Sequence, residues 1–477
     1  MMQSGFEGES YEICHSSRFG KRYHAEGPVE TCDLVIVGAG ISGLTAAYKV
    51  KNKLDVKLIE KEPRPGGSSK RNQWRGIYYS QGAADTGPTY EIEIEGKSIN
   101  FLKRLFKELN VRWRKVPAPT FALKHEGQLI VDPLHAGSSQ NGLTYDFKRS
   151  FEDAEARMER IFKEYGRPVV PLEASENKTM ALDKKTLAEM FEGISKPFRT
   201  YLETLSSATF GAPASEISAL EGVYYLSREM GERYACPGGN ACVAERLAKE
   251  LEGGIELNST VVSVTQKEGS CFVTYANVDN LVKTVECKAV IWASEKHYAP
   301  YTIKDLPEDQ ENAFRKVRYS SFVVANVLAD EPFYNGAFAT YFDNAFFADI
   351  VVADWVARSD APDPKSPAVY TLYCPVGGGH RHKVLAEPVD VWRSKIIESL
   401  EHHFGHLRNR IVEIRLYRYG HHYVVSYPGF ISTDRKIMKR PFGNIFFAKD
   451  DTQGIPSLES AVWSGLDAAE KVLRKLE

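Results

Sequence analysis

Cysteine is scarce in this chain: seven in 477 residues, at 14, 32, 236, 242, 271, 287 and 374. An odd, scattered set argues against a disulfide framework and for a reducing compartment. No C-x-x-C-H haem attachment sequence occurs and no two histidines carry a metal-type spacing, so no metal is expected. Long apolar runs are missing too. No stretch reaches the ~18–20 apolar residues of a membrane span. The most apolar candidate, 345–357, is interrupted by Asp349 and Asp354 and is expected as a pair of buried strands. Residues 1–30 lack the continuous apolar centre of a secretory signal. Neither charge is in excess, with 61 basic against 63 acidic residues, and no basic stripe points to nucleic acid. Internal repeats and low-complexity tracts are absent. The expectation is a soluble cytoplasmic protein with no stable membrane insertion and no nucleic-acid partner.

What is there begins at Leu34. The run Leu34-Val35-Ile36-Val37 has the length and β-branching of a buried parallel strand. Gly38, Gly40 and Gly43 follow in G-x-G-x-x-G spacing, with Ile41 and Ser42 opening a helical pattern. A second strand, Val56 to Ile59, ends in Glu60. Gly38 suits a tight turn, Gly40 a close approach of backbone to a pyrophosphate, and Gly43 close helix–strand packing. The helix N-terminus offers N–H groups and a favourable dipole to phosphate. Glu60 would accept from the adenosine ribose hydroxyls. Strand, glycines, helix, second strand and acid fall in register, which points to a dinucleotide.

The next loop separates flavin from nicotinamide. Glu60-Lys61 leads into Gly66-Gly67-Ser68, a second place where backbone must come close, as an extended FAD requires and a plain NAD site does not. With this loop the chain resembles the FAD-binding amine oxidase and phytoene desaturase superfamily, although Ser68 stands where that family commonly has arginine. Gly82-Ala83-Ala84 resembles the family's segment beside the flavin ring. Pro237-Gly238-Gly239 with Ala244, Leu247 and Leu251 resembles a later family block. The strand through Val262 resembles the one whose backbone meets adenine. Phe447-Ala448-Lys449-Asp450-Asp451 and Pro456 to Gly465 resemble the C-terminal signature. There the resemblance implies Asp451 as the acid on the ribityl or phosphate part of FAD. It implies a helix starting at Ser457-Leu458 aimed at the flavin N1–C2=O edge, where charge collects on reduction.

The fold expected is α/β: a discontinuous Rossmann-like FAD-binding domain of the glutathione-reductase type with an inserted mixed-sheet, α+β substrate domain. The boundaries read are 1–30 for an N-terminal extension that packs or frays, 31–115, 231–295 and 406–477 for the FAD-binding domain, and 116–230 and 296–405 for the substrate domain. Amphipathic helices are predicted at about 149–164 and 184–208, the second kinked near Pro197, and at 391–404.

The resemblance also bears on the reaction. Tyr423 matches one wall of the aromatic cage that guides an amine to the flavin, and His422 precedes it where some relatives carry a flavin-linked cysteine; these two are the candidate catalytic residues. The second wall is unmatched, since Ser457 replaces a Tyr or Trp, and the strand Ser320 to Val327 lacks the lysine that many oxidases place near flavin N5. The stretch from Glu398 through His402-His403, Tyr419, His421 and Tyr423 to Asp451, with Cys14-His15, looks like bacterial spermidine dehydrogenase-type proteins. The implied function is FAD-dependent oxidation of an amine C–N bond, with a polyamine-like substrate, by hydride transfer to flavin N5. O2 or a redox partner would take the electrons, and a homodimer is compatible with this. The alternative is a C–C desaturase or isomerase of a polyene or lipid-like substrate; a third reading is a flavin-binding protein without turnover.

Overall fold

The computed structural model describes residues 6–25, 30–87, 92–94, 97–135, 143–251, 253–279, 281–358, 363 and 365–477. Two large sheets organise a mixed α/β fold. The first runs Ile255–Glu256, Val56–Ile59, Glu30–Val37, Val282–Trp292, Ser270–Asn277 and Ser259–Lys267, and Ile445–Phe447 also pairs with Val282–Trp292. Its centre is parallel, and Leu34 to Val37 are buried there, as their unbroken β-branched pattern requires. The strand Val282–Trp292 is long enough to change partners. Its first half pairs antiparallel with Ser270–Asn277, and its last residues pair parallel with Ile445–Phe447. The C-terminal signature is thereby brought beside the first glycine turn. The helices Ile41–Val50 and Leu458–Leu476 pack closely: a Cβ on Gly465 would lie 2.3 Å from the Ser42 carbonyl oxygen, and Ser42 Oγ donates to the Ala461 carbonyl at 2.8 Å.

The second sheet has eight strands in the order Glu7–Gly8, Ile411–Tyr419, Ser321–Ala329, Ala368–Val376, Asp349–Val352, Ala339–Phe342, Phe121–His125 and Gln128–Val131. It is antiparallel except where Glu7–Gly8 joins Ile411–Tyr419 and where Ala339–Phe342 joins Phe121–His125. Ser321–Ala329 is buried along its whole length, with neighbours on both edges. Helices Tyr145–Tyr165, Lys196–Phe210 and Ala219–Glu229 belong to the same side of the molecule and share one core with this sheet.

Several expectations change here. Residues 406–477 do not all close the nucleotide sheet, because Ile411–Tyr419 pairs along Ser321–Ala329 in the second sheet. The N-terminal extension contributes a strand, Glu7–Gly8, and a helix, Glu12–Arg18. Pro197 does not kink a helix. The chain breaks after Leu187–Met190 and restarts at Lys196–Phe210 with Pro197 in the first turn, where a missing N–H leaves no bond unmade. Only Asp349–Val352 of the 345–357 segment is a strand. The cysteines include one local disulfide, Cys236–Cys242. Among the described residues no helix is long and apolar enough to cross a membrane.

Candidate active site

A cavity of about 1010 Å³ runs from the glycine turns of the first sheet to the face of the second. The two candidate catalytic residues and the candidate cofactor-contacting residues line it except Gly43, Val262 and Asp451, whereas the later block at Pro237-Gly238-Gly239 does not. At one end two glycine turns abut. Gly38 has φ +99°, a conformation L side chains rarely adopt, and its N–H donates to Ile59 at 2.8 Å. The Gly66 N–H donates to Ala39 at 2.8 Å, and a Cβ on Gly67 would come within 3.3 Å of the Gly40 Cα. Glu60 accepts from the N–H groups of Ala39 (2.6 Å) and Glu62 (2.9 Å), which pins its carboxylate to the first turn, and burial raises its pKa. Gly82 lies against the Ser68 carbonyl, where a Cβ would sit 2.2 Å away, and Ala83 donates to that same oxygen at 3.1 Å. Packed against Ile41–Val50, the helix Leu458–Leu476 presents its first turn to the cavity. Its N-cap, Ser457, accepts from the Ser460 N–H at 3.1 Å.

The three exceptions have physical reasons. A Cβ on Gly43 would lie 1.9 Å from the Gly38 carbonyl oxygen, so this glycine serves packing within the turn. The ladder slips between Val261 and Ser263, and Val261 rather than Val262 reaches the cavity. Asp451 turns inward to Lys296 and Tyr319, and it is Asp450, held by Lys449 Nζ at 3.0 Å, that lines the cavity. Lys449 itself stands at φ +98°, ψ 156°, a region that is nearly glycine-only.

The other end is aromatic and acidic. Tyr423 faces the edge of Phe322 with ring centres 6.3 Å apart and stacks on His422 at 3.9 Å. Burial holds His422 down to about 3 and raises the Tyr423 hydroxyl, so both are neutral near pH 7. Tyr225 and Tyr373 add rings to the same lining; their hydroxyls donate to the carbonyls of Pro456 and Gly82. The wall also carries the ion pair Arg228–Glu459 (2.7 Å) and the group Asp85–Arg233–Glu229. Asp349 joins it from the second sheet. Sequence reading found none of Tyr225, Tyr373, Asp85, Glu229, Arg233 or Asp349 as site residues. The one available signal was Asp349 interrupting an apolar run. The lysine absent from Ser320 to Val327 is not replaced by Lys296, which is fully buried outside the cavity.

The profile of the flavin containing amine oxidoreductase family matches residues 41–473. The flavin-containing amine oxidase A of Canis lupus familiaris is 23% identical over 487 residues, spanning 93% of this chain and 85% of that protein. Among solved structures, putrescine oxidase bound to putrescine superposes with a TM-score of 0.71 at 18% identity, covering 94% of this chain and 100% of that one. Cyclohexylamine oxidase from Brevibacterium oxydans IH-35A gives 0.70 at 18% identity, covering 93% and 99%. At these identities the structural likeness speaks for the fold alone.

Proposed function

This chain belongs to the family of flavin-containing amine oxidoreductases, and from that premise we propose that it oxidises a C–N bond of a polyamine-like amine by hydride transfer from the carbon next to nitrogen. The cofactor is FAD. The residues present fit it. Two glycine turns approach each other with no side chain between them, Glu60 is fixed where a ribose would lie, and the helices Ile41–Val50 and Leu458–Leu476 both open onto the cavity. We read the first sheet, parallel at its centre, as a glutathione-reductase-type cofactor domain and the eight-stranded sheet as the substrate-binding part. FAD, when bound, supplies a two-electron acceptor for the substrate hydride.

The protein's own task is to orient the amine and keep the site dry. In this reading Tyr423, with Phe322 behind it, forms one wall, and Tyr225 and Tyr373 stand in for the second wall that Ser457 cannot provide. His422 is a weak base at a pKa of about 3, so its role is to hold the Tyr423 ring rather than to take a proton. The amine must arrive neutral, because a protonated nitrogen has no lone pair to stabilise the cationic product. O2 or a redox partner then takes the electrons.

The observation that carries the proposal is one continuous cavity joining the glycine cradle to Tyr423. The desaturase alternative is disfavoured by the buried acids on that wall, which a polyene would leave uncompensated. The test is anaerobic bleaching of the bound flavin's absorbance by monoamines, diamines and polyenes. Rapid bleaching by amines is expected; bleaching by polyenes alone would overturn the reading.

A further inference from the structure

The substrate wall holds more carboxyl groups than its own cations pair with. Arg233 pairs with both Asp85 and Glu229 and lies over the Phe121 ring at 3.8 Å. Tyr341 donates to Glu229 Oε1 at 3.4 Å. Asp349 has no such partner: its Oδ1 makes no hydrogen bond, and the residue is only 9% exposed. Glu229 Oε2 is also without a partner, on a residue 4% exposed. Three carboxylates thus share one guanidinium, since Arg228 is engaged by Glu459. Burial pushes Glu229 up to about 6 and Asp349 well above its usual range. A buried carboxylate without a partner is costly, and such groups persist where a ligand completes them. Asp349 lines the same cavity as Tyr423, and its charge acts on the hydroxyls of both Tyr373 and Tyr423.

We propose that Asp349, with Glu229, forms a recognition site for a second ammonium group, so that the substrate is a diamine or polyamine held with one nitrogen here and the carbon to be oxidised beyond Tyr423. This rests on the amine-oxidation reading above. The second ammonium stays protonated and does not react. It supplies the missing positive charge and sets how far along the chain oxidation falls.

The test compares butane-1,4-diamine with butylamine, and a series of longer α,ω-diamines, in anaerobic flavin bleaching and in steady-state kinetics. The wild-type protein is expected to favour the diamine in kcat/KM by on the order of a hundredfold, because a site built for a polar group rejects the analogue that lacks it. Asp349→Asn is expected to shrink that preference by about tenfold or more, mostly through KM. Glu229→Gln serves as the second variant, and the wild-type chain-length series needs no variant at all. Equal use of both amines by the wild-type protein would overturn the second-ammonium site while leaving amine oxidation standing. Unequal use that Asp349→Asn and Glu229→Gln both leave intact would overturn the assignment to these carboxylates. Bleaching by neither amine would overturn the amine-oxidation reading itself.

Discussion

Lys296 and Asp451 form an ion pair with no solvent exposure on either side chain, Nζ to Oδ1 at 2.9 Å. Lys296 also donates to the carbonyls of Ser294 and Ala448, and Tyr319 donates to Asp451 Oδ2 at 2.6 Å. The pair ties the end of Val282–Trp292 to the loop after Ile445–Phe447, the junction that aims the C-terminal helix at the cavity. Asp451→Asn leaves the ammonium buried without its counter-charge and should destabilise the protein by about 3–5 kcal/mol. The double change Lys296→Met with Asp451→Leu should recover most of that, since buried pairs are often replaceable by apolar groups. Urea unfolding of both variants decides it; a double variant as unstable as the single one would refute this account.

Asp450 is predicted to behave differently from its neighbour. Asp450 lines the cavity, so Asp450→Ala should weaken FAD retention, read by flavin fluorescence during dialysis. Its effect on apoprotein melting should be much smaller than that of Asp451→Asn. Equal effects of the two substitutions on FAD and on melting would show that the two acids share one role.

Lys449 occupies a backbone conformation that costs roughly 1–3 kcal/mol for a residue with a side chain. Lys449→Gly should therefore raise the melting temperature of the apoprotein. Lys449 lines the cavity and its ammonium lies 3.0 Å from Asp450, so the same change should loosen FAD. A variant that melts lower as the apoprotein would show that the ion pair outweighs the strain.

The N-terminal segment borders the cavity that the glycine turns open onto. Phe6 to Ser10 line the cavity, the Ser10 N–H donates to Glu62 at 2.7 Å, and Glu9 accepts from the Gly420 N–H at 2.8 Å. Removing residues 1–20 should leave the first sheet and the other seven strands of the second in place, because Glu7–Gly8 is an edge strand, and should speed FAD release. Unchanged release from a folded truncation would remove any closing role.

Acid should destabilise the fold through its histidines. Burial lowers His297 to about 3, His421 to about 2 and His422 to about 3. An unfolded histidine takes its proton near pH 6.5. These groups therefore stabilise the folded state above about pH 6.5, and that contribution is lost as pH falls toward 3. Glu173, held down to about 2 by Lys439 and Arg435 despite its burial, adds in the same direction below about pH 4.5. Glu229, pushed up to about 6, and Asp349 and Glu60, which burial also raises, oppose them as pH falls toward the ordinary carboxyl range. Melting temperature should fall from pH 7 to pH 4.5. The slope should flatten when the stacked pair His297 and His421, 3.9 Å apart, is changed to glutamine. An unaltered slope in that double variant would assign the acid loss to other groups.

The glycine-turn end of the cavity was legible because its geometry is local. A β-branched run, three glycines at fixed spacing and an acid after the next strand lie within thirty residues, and each is demanded by a turn or a close approach nearby. Neighbouring positions were harder to separate: Asp450 and Asp451, or Val261 and Val262, differ only in which side of a turn or bulge faces the cavity. At the other end only His422 and Tyr423 were legible. Asp85, Asp349, Tyr373 and the pair Tyr225 and Glu229 on one helix come from distant segments, and each reads alone as an ordinary part of a helix, strand or loop. Periodicity reports which side of an element is buried, not what it is buried against. Only the pairing of Asp349–Val352 into the eight-stranded sheet put an unpartnered carboxyl oxygen on a residue that lines the same cavity as Tyr423.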